Sequence, residues 1–255
     1  FGAFAAGWCV PYGEKTARNG VWRPGPGMDL VGVLTSWFSG TEFLAEDLGL
    51  QTPDVAQLLK DSRMPGMRVL DCCAAPGGKS FACAIAMGDR GEVVSCDLHP
   101  HKKALIQAGA DRLGLTCIHP KTADASAFRP EWEGAFDLVL VDAPCSGLGV
   151  IRKKPDIRYK DPEALAGLPA VQSAILANAA RYVRPGGTLL YSTCTLLRRE
   201  NEEVAGRFLE TDSTFKPESF TLPGPVGTAA SGMVTLWPHR HGTDGFFICK
   251  LRKEG

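Results

Sequence analysis

Residues 68–97 read RVLDCCAAPGGKSFACAIAMGDRGEVVSCD and contain two short apolar runs that each end in an aspartate. The first run, 68–71, is followed by a Gly-Gly turn at Gly77 and Gly78, and then by an Ala-rich stretch through Met87 that is typical of a helix. The second run, 92–97, ends at Asp97. A strand, a glycine turn, a helix and a second strand predict a βαβ unit with two parallel strands.

The same alternation continues towards the end of the chain. Helices are predicted at 100–113, 163–183 and 198–210, and further strands at 115–118, 137–142, 188–192 and 245–251. Short apolar strands that alternate with helices predict a parallel sheet covered on both faces, and right-handed crossovers make such a sheet doubly wound. Its ligand lies at the carboxyl ends of the strands. This sequence places Asp71, Asp97, Asp142 and Cys194 at those ends.

Composition restricts the possible classes of protein. Hydrophobic residues make up 44% of the chain, and 28 Lys and Arg balance 28 Asp and Glu. A net charge of zero neither predicts nor excludes a nucleic-acid partner, because local patches matter more than the sum. No apolar run approaches the length of a membrane span, and no signal peptide is visible.

Nine cysteines, an odd number at irregular spacing, predict a reduced, cytoplasmic protein. The lack of a C-x-x-C motif predicts that there is no metal site.

Residues 1–65 carry little regular pattern. A helix is predicted at 30–38 and another at 52–60, where Thr52 is a suitable N-cap. The pattern changes sharply at Met67. We therefore expect an N-terminal extension, residues 1–65, with RNA contact as its suggested role, and a catalytic domain, residues 66–255. Because the first residue is Phe, we also expect the sequence to be part of a longer chain.

The Gly-Gly turn indicates a cofactor site. Its end, GGKS at 77–80, is similar to a P-loop, but that motif needs a glycine where this chain has Cys73. The dinucleotide motif G-x-G-x-x-G is absent from the turn as well. A Gly-Gly turn still lets the backbone approach a ligand and opens a helix N-terminus, which suits a carboxylate. The amino-acid half of S-adenosylmethionine has a carboxylate, and Lys79 adds positive charge there.

Two further aspartates fit the same cofactor. Asp97 is placed to accept the ribose hydroxyls, as acidic residues do in other nucleotide-binding sheets. Asp124, in the loop after the third strand, is placed to contact adenine. The alternative is that the glycines only make a tight turn and that Asp97 is a helix N-cap.

Two cysteines, Cys145 and Cys194, follow strands of the predicted sheet rather than lying within apolar segments. If those strands are adjacent, both thiols reach one pocket. Two thiols beside a methyl donor suit methylation of a pyrimidine at carbon 5, which is too weak a nucleophile by itself. A thiolate that adds to carbon 6 activates carbon 5, and this is covalent catalysis. The reaction needs a thiolate, so we expect nearby positive charge to lower the pKa of the attacking cysteine.

The sequence resembles the Nop/Sun family of RNA cytosine-5 methyltransferases, and within it the bacterial members that modify small-subunit ribosomal RNA. The matching stretches are LDCCAAPGGKS at 70–80, DLHPHK at 97–102, LVDAPCSGLGVIRKKPDIRYK at 140–160, GGTLLYSTCTLLRRENEEV at 186–204 and HGTDGFFICKLRK at 241–253. The resemblance implies a mostly parallel, seven-stranded sheet of the class I S-adenosylmethionine-dependent methyltransferase type. Members of this kind usually carry a helical RNA-binding domain before the catalytic half, whereas only about 65 residues precede it here.

The resemblance also implies a set of site residues. Cys194 is implied as the nucleophile and Cys145 as the group that helps to release the product, with Asp142 beside them. DNA cytosine-5 methyltransferases attack instead with the cysteine of their Pro-Cys motif, so the residues alone do not order the two thiols. The implied S-adenosylmethionine site consists of Cys73, Ala74, Ala75, Pro76, Gly77, Gly78, Lys79, Asp97, Asp124 and Asp142.

A basic surface is predicted beside both cysteines, and it suits the phosphates of an RNA substrate. Tyr159 and Phe246 are candidates for stacking on a base, although either also suits the core. We expect a monomer that acts on ribosomal RNA. Transfer RNA as the substrate, or a non-catalytic RNA-binding scaffold on the same fold, are the alternatives. The cations of the predicted surface are Arg152, Lys153, Lys154, Arg158, Lys160, Arg198 and Arg199.

Overall fold

The computed structural model describes residues 67–161 and 163–255, and before them only the backbone of two short strands. These strands, β1 (Ala6–Cys9) and β2 (Val21–Pro24), pair antiparallel. The helices predicted at 30–38 and 52–60 lie outside the described residues.

The centre of the molecule is a mostly parallel sheet. Its strands are β3 (Met67–Asp71), β4 (Gly91–Asp97), β5 (Ile118–Thr122), β6 (Phe136–Asp142), β7 (Val183–Thr193), β8 (Phe215–Pro217), β11 (Met233–Leu236) and β12 (Phe246–Lys253). A separate antiparallel pair consists of β9 (Phe220–Leu222) and β10 (Gly227–Ala229).

The order of the strands confirms the expected architecture. Five parallel strands form most of the sheet, and they lie in the order β7-β6-β3-β4-β5. Two antiparallel strands, β12 and β11, extend the sheet beyond β7, and the short β8 pairs with the far end of β12. The predicted mostly parallel sheet of seven strands is confirmed, with β8 added at its margin.

Helices cover both faces of the sheet. Four of them connect the strands of the sheet: α1 (Gly78–Ala86), α2 (Pro100–Leu113), α3 (Leu168–Tyr182) and α4 (Glu202–Thr211). A short α5 (Pro238–His241) precedes β12. The bounds predicted for α2 are confirmed, because Pro100 occupies its first turn and Gly114 ends it in the left-handed conformation that glycine adopts without strain.

Alternate residues of the central strands enter different core layers. Val93 packs on one side with Phe81 of α1 and Ile106 of α2, whereas its neighbour Val94 packs on the other side with Leu176 of α3. Successive side chains of a strand point to opposite faces, so a strand that is apolar at every position is buried on both. None of the helices in residues 67–161 and 163–255 has both the length and the apolar character that a membrane span requires.

The third strand differs from its prediction. It was expected at 115–118, but β5 runs from Ile118 to Thr122 and includes Pro120. The carboxylate of Asp89 accepts the backbone N–H groups of Thr116 and Cys117 at 2.9 Å, and this holds the preceding residues in a loop. Because β5 is an edge strand, it tolerates polar residues and a proline, and apolar periodicity does not locate it.

Three other elements begin several residues away from their predicted starts. The helix expected at 163–183 is shorter and begins at Leu168. The helix expected at 198–210 is divided into a 3₁₀ turn, Arg198–Glu200, and α4. Strand β7 begins earlier than expected, at Val183, and an irregularity in its pairing with β6 accommodates the Pro-Gly-Gly segment.

Candidate active site

The predicted site residues meet at one edge of the sheet. Asp71, Asp97 and Asp142 are the last residues of β3, β4 and β6, and Cys194 directly follows β7. These four strands are parallel neighbours in the order β7-β6-β3-β4, so their carboxyl ends lie side by side. The expectation that strand ends gather these groups is therefore confirmed.

The glycine turn is fixed by its own backbone and by one aromatic ring. The N–H of Ala74 donates to the carbonyl of Cys96 at 2.7 Å, which ties the turn to the end of β4. Gly77 has a φ of 117°, and a Cβ at this position would overlap the ring of Phe81. Gly78 begins α1, so the N-terminus of that helix opens at this edge of the sheet. Only glycine meets both demands at position 77.

Two carboxylates lie behind the turn. Asp71 is buried and accepts a hydrogen bond of 2.8 Å from the hydroxyl of Ser80, and burial raises the pKa of its carboxyl to about 6. Asp142 accepts from the ammonium of Lys79 at 2.8 Å and from the hydroxyl of Ser192 at 2.9 Å. Lys79 was predicted to meet the carboxylate of a cofactor, and here it makes an ion pair with Asp142.

Asp97 has contacts that fit part of the helix-cap alternative. Its Oδ1 accepts from the backbone N–H of His99 at 3.0 Å, and its Oδ2 lies 3.6 Å from the ammonium of Lys102. The N-cap position itself belongs to His99, not to Asp97.

The side chain of Leu98, which follows Asp97, is exposed. The sequence reasoning missed this residue, although an apolar residue directly after a strand-end aspartate could have indicated a contact with the ligand. Its apolar surface at the ligand edge suits the face of a planar ring.

Asp124 lies at the margin of this group. The backbone N–H of Ala123 donates to the carbonyl of Asp97 at 3.0 Å, which brings the loop after β5 next to the end of β4. The carboxylate of Asp124 is exposed and accepts from the N–H and the hydroxyl of Ser126, at 2.8 Å and 2.6 Å. These two bonds hold the pKa of Asp124 below its usual range.

The sulfur atoms of Cys145 and Cys194 are 3.2 Å apart, so the two thiols share one pocket as predicted. The backbone N–H of Cys194 also donates to the sulfur of Cys145 at 3.3 Å. The hydrogen bond between the thiols lowers the pKa of Cys194 to about 7. Burial and the carboxylate of Asp142 oppose this shift, and Lys79 makes a smaller contribution in the lowering direction. The same hydrogen bond, together with burial, raises the pKa of Cys145. The arrangement therefore favours a thiolate on Cys194 held by a protonated Cys145.

The remaining described cysteines have the opposite character. Burial is the largest cause that raises the pKa of each, and in Cys73 the carboxylates of Asp71, Asp142 and Asp97 add to it. Thiols that stay protonated at neutral pH for this reason are inert. Across residues 67–161 and 163–255, Cys194 is thus the one cysteine whose pKa is lowered. The six others are Cys72, Cys73, Cys83, Cys96, Cys117 and Cys249.

A buried polar network holds the loop of Cys145 on both sides. Glu200, which is fully buried, accepts from the backbone N–H of Ser146 at 2.9 Å through its Oε2. Gln172 of α3 donates to the same oxygen at 3.0 Å and to the carbonyl of Pro144 at 2.9 Å. The residues before and after Cys145 are therefore fixed by side chains of two other segments.

The loop of Cys194 is held in the same way by Asn201, the residue that follows Glu200. The Asn201 side chain accepts from the hydroxyl of Thr193 at 2.5 Å and donates to the carbonyl of Thr195 at 3.0 Å. The hydroxyls of Ser146 and Thr195 then lie 2.7 Å apart and join the two loops. We call Gln172, Glu200 and Asn201 the loop clamp. The sequence reasoning missed these residues, because they fall in segments that were assigned only to helices.

Close backbone contact completes the cysteine pocket. The N–H of Gly149 donates to the carbonyl of Cys194 at 2.9 Å, and the N–H of Gly245 donates to the carbonyl of Gly149 at 2.8 Å. A Cβ on Gly149 would overlap the carbonyl oxygen of Gly245. A glycine at 149 is required for this approach.

Six of the seven predicted cations divide into two groups. Arg152 and Lys153 form ion pairs with the buried Asp244, at 3.2 Å and 2.6 Å, and these cations hold the pKa of Asp244 below its usual range. They therefore fasten their loop to the segment before β12. Lys154 is exposed and belongs to neither group. The second group of cations lines a groove of about 440 Å³ and consists of Arg158, Lys160, Arg198 and Arg199.

Within residues 67–161 and 163–255, no cluster of three or more side chains suited to a metal ion occurs.

Comparison with protein-family models decides the family. The model described as 16S rRNA methyltransferase RsmB/F matches residues 57–252, which is most of the chain. The chain belongs to the RsmB/F family. A second model, described as 4-alpha-glucanotransferase, matches residues 1–89, and most of these lie outside the described residues.

Curated relatives agree with this RsmB/F membership. The chain is 45% identical over 235 residues to the probable ribosomal RNA small subunit methyltransferase B of Bacillus subtilis, covering 89% of this chain and 53% of that protein. It is 36% identical over 204 residues to ribosomal RNA small subunit methyltransferase F of Erwinia tasmaniensis, covering 78% of this chain and 42% of that protein. The RsmB/F chain described here thus spans about half the length of the curated relatives it matches.

Solved structures share the fold. NSun6 from Pyrococcus horikoshii aligns with a TM-score of 0.63 at 29% identity, over 79% of this chain and 51% of that one. A methyltransferase homologue from the same organism aligns with a TM-score of 0.63 at 25% identity, over 89% and 82%. The RsmB/F chain therefore has the fold of the class I S-adenosylmethionine-dependent methyltransferases, as expected.

Proposed function

We propose that this protein transfers a methyl group from S-adenosylmethionine to carbon 5 of a cytosine in 16S ribosomal RNA, with Cys194 as the nucleophile. The observation that carries the proposal is the thiol pair. Cys194 has a pKa lowered to about 7 and lies 3.2 Å from a second thiol at the ligand edge of the sheet. A cysteine that is partly ionised at neutral pH combines a useful fraction of thiolate with high nucleophilicity.

The lowered pKa fits the demands of carbon 5 chemistry. The Cys194 thiolate adds to carbon 6, and the pair of electrons displaced from the ring makes carbon 5 nucleophilic. S-adenosylmethionine would supply an electrophilic methyl group: carbon 5 would form the new bond to this methyl, and S-adenosylhomocysteine would leave with the electrons of the broken sulfur–methyl bond. Removal of the carbon 5 proton by a base then expels the thiolate and restores the ring.

Cys145 has an environment that changes during such a reaction. Its hydrogen bond to Cys194 is the largest cause that raises its pKa. When Cys194 is bonded to carbon 6, its sulfur no longer carries the negative charge that holds the Cys145 proton. Cys145 is then freed to take part in proton transfer during product release. Asp142, which is fixed by Lys79 and Ser192, orients the edge of the cytosine.

The turn beside β3 fits S-adenosylmethionine. The segment from Cys73 to Lys79 leads into the N-terminus of α1, where a Cβ on Gly77 would fill the space that Phe81 occupies. A helix N-terminus suits the carboxylate of the amino-acid half. Asp97 ends the neighbouring strand and suits the ribose hydroxyls, Leu98 suits one face of the adenine, and Asp124 suits its edge.

We assign these functions to a catalytic domain of residues 66–255 and treat residues 1–65 as a separate extension, for which RNA contact stays a prediction. The eight strands of the main sheet in the described residues lie between Met67 and Lys253, and the RsmB/F match spans residues 57–252. A monomeric state and a cytoplasmic location also stay predictions. Both are consistent with an enzyme that acts on ribosomal RNA.

Bisulfite sequencing after incubation with S-adenosylmethionine tests the proposed function. Purified 16S ribosomal RNA and bulk transfer RNA are the two substrates, and the Cys194→Ala variant is the control. We expect one protected cytosine in the ribosomal RNA with the wild-type protein and none with the variant. Protection confined to transfer RNA would overturn the substrate, and equal protection by the variant would overturn the nucleophile.

A further inference from the structure

The groove that contains four of the predicted cations has an apolar floor. Leu148, Ile157, Leu165 and Leu197 are half-buried and line it. Arg158, Lys160, Arg198 and Arg199 line it as well. Its volume, about 440 Å³, is within the range of sites that hold a small organic group.

The groove adjoins the cysteine pocket. Leu148 lies three residues after Cys145, and Leu197 lies three residues after Cys194. The hydrogen bond from Gly149 to the carbonyl of Cys194 joins the two segments between the pocket and the groove. A polymer that presents one unit to the thiols therefore has its neighbouring unit at the groove.

The four cations at the groove form no ion pair with a carboxylate in the described part of the chain. Arg152 and Lys153 are neutralised by Asp244, but none of the four groove cations pairs with a carboxylate of residues 67–161 or 163–255. Lys160 donates to the carbonyl of Ser146 at 2.9 Å, which fixes its position and leaves its charge uncompensated. Such a set of cations complements an anionic ligand.

An exposed aromatic ring stands beside these cations. Tyr159 lies between the lining residues Arg158 and Lys160 and is 79% exposed, and the guanidinium of Arg158 is 5.8 Å from its ring centre. Phe246, the other aromatic candidate, is half-buried at the start of β12. The exposed ring of Tyr159 keeps its face available for stacking on a planar partner.

We infer that the groove and Tyr159 form a subsite for the nucleotide next to the target cytosine in single-stranded RNA. The base of that nucleotide stacks on Tyr159 and the apolar floor, and its phosphates lie among Arg158, Arg198 and Arg199. Cations that follow the backbone together with an aromatic platform are the combination used for single strands. This inference rests on the proposed function for the identity of the polymer. An acidic peptide would match the cations but give no role to the exposed ring.

The test measures RNA binding directly. The probe is a short single-stranded RNA with one central cytosine, and its dissociation constant is measured at several salt concentrations. In the Arg198→Gln/Arg199→Gln double variant we expect weaker binding, and a salt slope lower by about 1.4 because about 0.7 is lost per phosphate contact on a single strand. The matched control is Arg90→Gln/Arg112→Gln, which removes two exposed arginines next to the amino ends of β4 and β5, on the opposite edge of the sheet. Binding by the double variant that equals that of the control would overturn the inference.

Tyr159 provides the second arm. We expect Tyr159→Ala to weaken binding by about 5- to 150-fold, the scale of one lost base stack, and Tyr159→Phe to bind like the wild type. With a probe that lacks the base next to the cytosine, wild type and Tyr159→Ala should bind equally. A persistent difference on that probe would overturn the stacking role. Because the readout is binding, it remains informative if no cytosine is methylated, and failure of the proposed function is seen separately by bisulfite sequencing.

Discussion

The two halves of the site are built in different ways. In the cofactor half, at the ends of β3 and β4, the glycine turn is held by backbone hydrogen bonds and by Ser80 and Phe81, which are close to it in sequence. In the cysteine half, at the ends of β6 and β7, the two loops are held by side chains of Gln172, Glu200 and Asn201. The glycine turn of the first half is held by contacts within residues 71–97, whereas the loops of the second half depend on side chains from elements that are distant in sequence.

The difference has a physical reason. A cofactor turn needs open backbone N–H groups, and glycine supplies these without support from distant side chains. Two sulfur atoms 3.2 Å apart on separate loops need each loop fixed independently. Buried hydrogen bonds supply this, but each depends on a partner whose loss leaves a polar group unsatisfied. We therefore expect the cysteine half to be the more sensitive of the two to single substitutions.

The largest effect is expected from Glu200→Ala. The change leaves the N–H of Ser146 and the amide of Gln172 without their buried acceptor. We expect a loss of about 2–4 kcal/mol in the free energy of unfolding, and roughly 100-fold slower methylation because the thiols are misplaced. Urea unfolding and single-turnover kinetics measure the two quantities.

Glu200→Gln is the matched control, because it keeps one side-chain oxygen as an acceptor. It should recover most of the rate while S-adenosylmethionine affinity stays at the wild-type value in both variants. If Glu200→Ala lowers cofactor affinity as strongly as it lowers the rate, the two halves are not independent, and the comparison fails.

A smaller effect, confined to the cofactor half, is expected from Asp97→Ala. Loss of this carboxylate should weaken S-adenosylmethionine binding by about 1.5–3 kcal/mol, the scale for a charged hydrogen-bond partner. Calorimetry on the variant gives the dissociation constant, with Asp111→Ala as the control for removal of a carboxylate from α2. An unchanged dissociation constant would show that Asp97 does not bind the cofactor and only accepts the hydrogen bond from the N–H of His99 at the start of α2.

The mildest effect concerns pH. In the wild type the Cys194 thiolate is present above its pKa of about 7, so the rate of alkylation of Cys194 by iodoacetamide should rise through that pH. Cys145→Ala removes the hydrogen bond that lowers this pKa, so the midpoint should move upwards, towards the ordinary cysteine value of about 8.5. Mass spectrometry of the Cys194 peptide follows the reaction, and the buried Cys249 serves as an unreactive reference. A midpoint that stays near 7 would show that Cys145 does not stabilise the thiolate.

Much of the fold could be predicted because the parallel strands are buried on both faces. Continuous apolar runs such as those ending at Asp97 and Asp142 locate central strands, and Pro100 and Gly114 mark the two ends of α2. Prediction failed at the edge of the sheet. Ile118–Thr122 is polar, and its position depends on how Asp89 holds the preceding loop, which is a contact over 27 residues in sequence.

The candidate site divides along the same line. The strand-end aspartates, the glycine turn and the two cysteines were predicted from their positions after strands, and their gathering at one edge is confirmed. The loop clamp was not predicted, because in the sequence a buried carboxylate such as Glu200 looks like an ordinary charged residue at the start of a helix. The pairing of Arg152 and Lys153 with Asp244 was missed for the same reason, since the partners are 92 and 91 residues apart.

The most direct test of the central claim is a denaturing gel of the protein after incubation with substrate RNA and S-adenosylmethionine. With Cys145→Ala, the Cys194 thiolate still adds to carbon 6 but release is impaired, so we predict a slow, RNase-sensitive band of protein joined to RNA. With Cys194→Ala we predict no such band, because the attacking sulfur is gone. A band with Cys194→Ala that is absent with Cys145→Ala would contradict the account and make Cys145 the nucleophile.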